Sequence, residues 1–156
     1  MTKLKLGMIG GGQGAFIGGV HRIASRIDDH YELVAGSLAS KPDVAHASAK
    51  DLGISEDRSY SSYAEMSEKE SNRDDGIEVV SIVTPNHMHA DPAIEFLTKG
   101  IHVICDKPMT STMDDANKLA KIVSQSKAHF FLTHNYSGYP VIREMKSLIK
   151  NDEFSQ

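Results

Sequence analysis

The residues able to do chemistry fall into four short stretches. The first follows an apolar run, Leu4-Lys5-Leu6-Gly7-Met8-Ile9, and reads Gly10-Gly11-Gly12-Gln13-Gly14, with an amphipathic stretch opening near Phe16. Glycines permit a tight turn and let amide N–H groups come close to a ligand. A helix start adds unpaired donors and the positive end of its dipole. Strand, glycine turn and helix start in that order make a site for a diphosphate. A plain G-x-G-x-x-G pattern counted from Gly10 would need glycine where Ala15 stands. Either the alanine serves there, or the loop is three residues longer and Gly18 takes the third place.

The second stretch, Leu38-Ala39-Ser40-Lys41, lies where a ribose-reading residue is expected. An acid about 20 residues past the glycines usually binds the adenosine ribose hydroxyls. Glu32 has that spacing but would begin its strand, at the wrong end of a sheet. Ser40 and Lys41 offer a hydroxyl and an ammonium instead, a pair suited to a 2′-phosphate, which leans the reading to NADP over NAD. The plainer alternative has Ser40 capping a helix and Lys41 solvated.

The third stretch is Thr84-Pro85-Asn86-His87-Met88-His89. Two histidines two apart in a turn, without a cysteine or carboxylate cluster, make a poor chelate. No metal site is expected; His89 would tie down the turn while residues 84–86 face the nicotinamide side of a cofactor. The fourth is Asp106-Lys107-Pro108. The Lys107 ammonium could bond a substrate hydroxyl and ease proton movement during hydride transfer; the simpler alternative is a surface pair with Asp106. Cys105 reads as a small buried hydrophobe.

Alternating elements must hold these stretches in place. Strands are expected over 4–10, 31–38, a short piece near 59–60, 77–83, 101–105 and 129–133. Helices are expected over 16–28, from a Ser40/Asp43 capping box to Leu52, over 62–70, from Asp91-Pro92 to Gly100, behind a Thr112/Asp115 capping box, and from Pro140 to about 150. The β-branched run 77–83 suits a central strand covered on both faces. The pattern predicts an α/β fold: a doubly wound, mostly parallel, six-stranded sheet of Rossmann type with helices on both faces. Ligands of such sheets lie beyond the carboxyl ends of the strands, where all four stretches fall.

Bulk properties narrow the classes. The 156 residues suit one domain, 1–156, which can bury roughly two-thirds of its unfolded surface without disulfide or metal. Seventeen Lys and Arg against 21 Asp and Glu give a net charge of −4, which argues against a nucleic-acid partner. The single cysteine fits a reducing cytoplasm, and no apolar run approaches the ~20 residues of a membrane span.

Together, Gly-x-Gly after the first strand, Val83-Thr84-Pro85-Asn86-x-x-His89, Gly100-Ile101-His102-Val103 and Asp106-Lys107-Pro108 resemble the glucose–fructose oxidoreductase, inositol dehydrogenase and MocA (Gfo/Idh/MocA) family of NAD(P)-dependent sugar and polyol dehydrogenases. The resemblance covers nearly the whole chain. It implies a Rossmann domain followed by a larger α/β domain, and full-length members that are usually homo-oligomers. It implies that Lys107 is the catalytic-site lysine. The implied cofactor contacts are Gly10, Gly12, Gln13, Phe16, Ile17, Ser40, Lys41, Thr84, Pro85, Asn86, His89, Asp106, Lys107 and Asn135. Asp106 stands where the family motif has glutamate, and the glycine loop is expanded. The second domain, which supplies the family's catalytic histidine or aspartate and much of its substrate pocket, is expected to be absent here.

The expected function is therefore the cofactor domain of an oxidoreductase moving hydride between NAD(P) and a sugar- or polyol-like substrate, incomplete for catalysis as this chain. The alternative is a non-catalytic dinucleotide-binding or redox-sensing module. A methyltransferase also uses a glycine turn after its first strand, but gives no reason for Asp106-Lys107-Pro108.

Overall fold

Five parallel strands form one sheet in the computed structural model, which describes residues 2–151. They are β1 (Leu4–Gly10), β2 (Tyr31–Ser37), β3 (Val79–Val83), β4 (His102–Cys105) and β5 (Phe130–Leu132), in the spatial order β2-β1-β3-β4-β5. The helices are α1 (Phe16–Ile27), α2 (Pro42–Asp51), α3 (Tyr63–Ser71), α4 (Ala90–Thr98), α5 (Met113–Gln125) and α6 (Pro140–Lys150). The chain steps one way from β1 to β2 and the other way from β2 through β5. Right-handed crossovers then put α1 on one face and α3, α4 and α5 on the other.

The α3–α5 face holds the larger core. Val80, Ile82, Val103 and Cys105 meet Ala93, Phe96, Leu97 and Leu119, all buried. A smaller core beside β1 joins Met8, Leu38, Ala49, Ile54 and Val83. All five residues of β3 are buried, as its β-branched sequence requires of a central strand.

Three expectations are corrected. The sheet has five strands, not six: the segment near 59–60 makes only a single parallel bridge, Ser59 to Gly36. Glu56–Arg58 is a 3₁₀ turn, and Ser62 already caps α3, so the chain has no length in which to extend a ladder. Ser40 does not cap α2; Pro42 fixes the first helical position, so Lys41 is the cap residue and makes no side-chain cap bond. α4 begins at Ala90 with His89 as its cap residue, because a 3₁₀ turn over Asn86–Met88 leads directly into it. Asp91 and Pro92 then sit inside the first turn, where a missing N–H is tolerated. The Thr112/Asp115 cap forms as read, with Thr112 Oγ1 accepting from Asp115 N at 3.1 Å.

A buried network that the sequence did not announce locks the connection from β2 to β3. The Glu70 carboxylate accepts from Arg58 Nε at 3.0 Å, from Arg58 Nη2, from the Tyr60 hydroxyl at 2.7 Å and from Ile77 N at 3.1 Å. Glu70 and Arg58 are 1% and 6% exposed, so each charge depends on the other. Among the described residues, no helix is long and apolar enough to cross a membrane. Replacing Glu70 with alanine would leave the Arg58 guanidinium buried and uncompensated. We expect a loss of about 3–5 kcal/mol in urea-unfolding free energy, while Glu68→Ala, on an exposed residue of the same helix, changes it little.

Candidate functional site

Backbone shape decides the glycine turn. Gly10, Gly11 and Gly14 have φ of +74°, +74° and +77°, a region that glycine enters without strain. A Cβ on Gly12 would stand 2.7 Å from Ser48 Oγ and 2.8 Å from the Leu38 carbonyl. A Cβ on Gly18 would stand 2.4 Å from Gly11 Cα. Gly18, not Ala15, therefore does the close helix–strand packing, and the loop is the longer of the two forms considered. Ala15 is the cap residue of α1 and supplies no side-chain cap, so the first amides of α1 are left for a ligand.

The turn is held from both sides. Gln13 N donates to Ser48 Oγ at 2.9 Å, and Gln13 Nε2 to Asp51 Oδ2 at 2.6 Å, both on α2. Arg22 Nη1 donates to the Gly11 carbonyl at 2.6 Å from α1. A cleft of about 350 Å³ opens here, lined by Gly12, Gln13, Phe16, Arg22, Ser48 and Asp51 among others. Gln13 thus spends its backbone donor and one of its two side-chain N–H donors within the protein. Ser40 and Lys41 stand exposed past the end of β2, with neither side chain bonded among the described residues. Glu32 is exposed near the start of β2, away from this edge, as its position in the strand requires.

Beyond β3, Thr84 Oγ1 donates to the Met88 carbonyl at 3.2 Å, and Pro85, Asn86 and His87 are exposed. His89 is 1% exposed. Its Nδ1 lies 2.8 Å from the Pro108 carbonyl and its Nε2 lies 2.8 Å from the Thr84 carbonyl. Both ring nitrogens face backbone carbonyls, of which a neutral ring donates to one, and the ring lies between the turn after β3 and the turn after β4. His89 is thus buried between the two turns, while Pro85, Asn86 and His87 stand at the surface.

A second cavity, of about 380 Å³, lies between α1 and the ends of β3, β4 and β5. It brings together Ile17, Asp106, Lys107 and Asn135 from the sequence-derived set. It also holds polar residues that the set lacked, His21, Ser81 and Thr133 among them. Asp106 Oδ1 accepts from Thr133 Oγ1 at 2.9 Å and stands 3.5 Å from His21 Nε2. His21 Nδ1 lies 2.8 Å from Ser81 Oγ. Burial pushes the His21 imidazole below its ordinary value, and the nearby Asp106 carboxylate only partly opposes this. The Lys107 ammonium is exposed and unpaired among the described residues, so the expected surface pair with Asp106 does not form. Cys105 is buried with its thiol pushed up to about 12, by burial first and by Asp106 second. The missed residues carried one legible signal. Ser81 is a lone hydroxyl inside an otherwise β-branched buried strand, and such a group needs a partner.

With this geometry in hand, comparison with known proteins decides the family. Residues 4–134 match the Gfo/Idh/MocA oxidoreductase family with an NAD-binding Rossmann fold. The chain belongs to this family. It is 32% identical to the uncharacterized oxidoreductase YfiI of Bacillus subtilis, across 94% of this chain and 38% of that protein. It is 30% identical to levoglucosan dehydrogenase of Pseudarthrobacter phenanthrenivorans, across 96% of this chain and 38% of that one. Among solved structures, an oxidoreductase from Sinorhizobium meliloti is 56% identical with a TM-score of 0.90, covering 97% of this chain and 42% of its own. An inositol dehydrogenase homolog from Azotobacter vinelandii, solved with NAD+, is 32% identical with a TM-score of 0.92, covering 97% and 39%. The chain thus spans about two-fifths of the length of these relatives.

Two outcomes follow from the geometry. Gly18→Ala drives a methyl into the Gly11 backbone, which has no rotamer to yield. It should lower the melting temperature and weaken NADH binding together, whereas Gly19→Ala, with only the Arg22 guanidinium tip 3.9 Å away, should leave both near wild type. Cys105 gives a pH signature with a definite sign. Above pH 9, the unfolded thiol's value, the unfolded chain ionises while the native thiol resists until about 12. Unfolding free energy should therefore fall as pH rises across that window, and Cys105→Ala should flatten the fall in urea titrations.

Proposed function

We propose that this chain is the dinucleotide-binding part of an oxidoreductase that moves a hydride between NAD(P) and a sugar- or polyol-like substrate. The observation that carries the reading is the joint placement of an uncapped helix start behind the Gly10–Gly14 turn and the free Lys107 ammonium at the same sheet edge. The fit to a dinucleotide rests on the turn itself. Nothing lies within 4 Å of where a Gly14 Cβ would stand, so the backbone there borders open space beside the uncapped start of α1. Relatives support the substrate class: one is a levoglucosan dehydrogenase, and the Azotobacter vinelandii homolog has also been solved with NADH and myo-inositol.

When bound, the nicotinamide supplies the hydride donor or acceptor. This chain's residues do the rest. The Gly10–Gly12 turn and the first amides of α1 hold the diphosphate, with Phe16 and Ile17 opening the helix beside it. Thr84, Pro85 and Asn86 form the rim above β3, with Asn135 at the β5 end. Lys107 would donate a hydrogen bond to the oxygen of the reacting substrate hydroxyl and steady the negative charge that develops there, with the group that takes the hydroxyl proton expected from the remaining length of the relatives. The remaining length of the relatives is where the other walls of a substrate pocket belong, so we expect binding by this chain with little or no turnover.

On NAD against NADP, the Azotobacter vinelandii homolog, solved with NAD+ and with NADH, favours the former. Ser40 and Lys41, exposed and unbonded beside the α2 N-terminus with no acid at the end of β2, leave the chain able to take a 2′-phosphate as well. Fluorescence titration tests both points. Saturable binding of NADH or NADPH is expected, and Lys41→Ala should weaken NADPH several-fold while sparing NADH. Absence of binding for both coenzymes would overturn the dinucleotide reading, and robust polyol oxidation by this chain alone would overturn the expectation of low turnover.

A further inference from the structure

Side chains from four elements converge at the deep end of the 380 Å³ cavity, and the hydride-transfer scheme above uses none of their mutual contacts. His21 comes from α1, Ser81 from β3, Asp106 from just past β4 and Thr133 from just past β5. Ser81 is 2% exposed and lies 2.8 Å from His21 Nδ1. Asp106, as a carboxylate, only accepts hydrogen bonds. With the ring neutral, the N–H therefore sits on Nε2, facing Asp106, and Nδ1 accepts the Ser81 hydroxyl proton. Ser81 thereby fixes both the tautomer and the tilt of the ring.

The carboxylate is used on one side only. Oδ1 takes the Thr133 hydroxyl at 2.9 Å and faces His21 Nε2 at 3.5 Å. That last gap is longer than a formed hydrogen bond, and contacts of this kind tighten when a ligand completes a site. Oδ2 has no protein partner among the described residues. No buried side-chain oxygen among them lacks a partner, so Oδ2 is open to the cavity that Lys107 and Asn135 also line. Strand order tells which part of a dinucleotide would reach it. With the diphosphate at the β1 turn and the adenosine half over β2, the nicotinamide half lies over β3 and β4.

We propose that His21 is a positioning residue: held by Ser81, it orients the Asp106 carboxylate so that Oδ2 accepts a hydrogen bond from a hydroxyl of the nicotinamide-side ribose. This rests on the dinucleotide reading above. His21 touches no ligand in this scheme and acts only through Asp106.

Two amide substitutions separate the two ends of the ring. The amide nitrogen of glutamine reaches the place of Nε2 and can still donate to Asp106; that of asparagine reaches only the place of Nδ1. The test measures dissociation constants for NADH and for ADP, which lacks the nicotinamide-side ribose, in the wild type, His21→Gln, His21→Asn, Asp106→Asn and the double variant His21→Asn/Asp106→Asn. We expect His21→Gln to stay within about twofold of wild type for NADH. His21→Asn should lose about tenfold, the scale of one hydrogen bond to a charged group. The double variant should bind NADH no more weakly than Asp106→Asn alone, because both changes remove one interaction. ADP affinity should be the same in all five proteins.

Equal NADH affinities for His21→Gln and His21→Asn would overturn the proposal, as would additive losses in the double variant. Loss of ADP binding together with NADH binding in His21→Asn, outright unfolding included, would assign His21 to the fold and overturn it too. A wild-type chain that binds neither ligand would instead sink the dinucleotide reading, which keeps the two failures apart.

Discussion

The approach of Gly18 to Gly11 is the constraint on which the site depends. The space between them does not admit a Cβ. The first turn of α1 lies against the end of β1 at backbone distance, which fixes where the uncapped helix start stands beside the glycine turn. The same approach carries the rest of α1 across the sheet, so that His21, one turn further on, reaches Ser81 and Asp106. One pair of glycines thus sets both the shape of the glycine turn and one wall of the second cavity. A bulkier residue at either position would have to move the helix, and both sites would move with it.

Loops at a sheet's carboxyl edge gain nothing from ladder hydrogen bonds, so something else must fix them. Here buried polar side chains do it. His89 lies between the turn after β3 and the turn after β4, its ring nitrogens 2.8 Å from a carbonyl of each. Thr133 reaches from the end of β5 to Asp106 at 2.9 Å, and Ser48 and Asp51 hold the glycine turn from α2. Each bond is modest in net energy, but an unsatisfied buried partner is costly, so these contacts specify geometry more than they add stability. The groups left outside the network are then informative. Lys107, Ser40, Lys41 and Asp106 Oδ2 are free among the described residues while their neighbours are tied, which is how a preformed site differs from a merely polar surface.

Much of this was legible in the sequence because local rules carried it. The β-branched run before Thr84 fixed a central strand, Thr112 with Asp115 fixed a helix start, and Gly53 and Gly100 ended helices at φ of +71° and +80°. The errors came where two local signals competed. Ser40 and Asp43 have capping-box spacing, but Pro42 sets the first helical position and shifts the cap to Lys41. Tyr60 has strand character, but the three residues between a 3₁₀ turn and the Ser62 cap make only one bridge. His21 was invisible for a different reason. On an amphipathic helix a histidine reads as a surface residue, and only the fold brings it to residues 60 and 85 positions away.

The two faces of the sheet are divided by task, and the division follows from the crossovers. Three helices seal the α3–α5 face, and its side chains, Phe96 and Leu119 among them, are fully buried. At the carboxyl ends of the strands His89 is buried beside that packing, with its ring nitrogens facing two backbone carbonyls. On the opposite face α1 and the Ala49 side of α2 pack over β1 and β3, and among the described residues β4 and β5 are less covered there: Ile104 is half-buried and Phe131 is 55% exposed. The 380 Å³ cavity lies on this less covered face, beside α1. Ser81, His21 and Asp106 stand there and satisfy part of one another's hydrogen-bonding capacity.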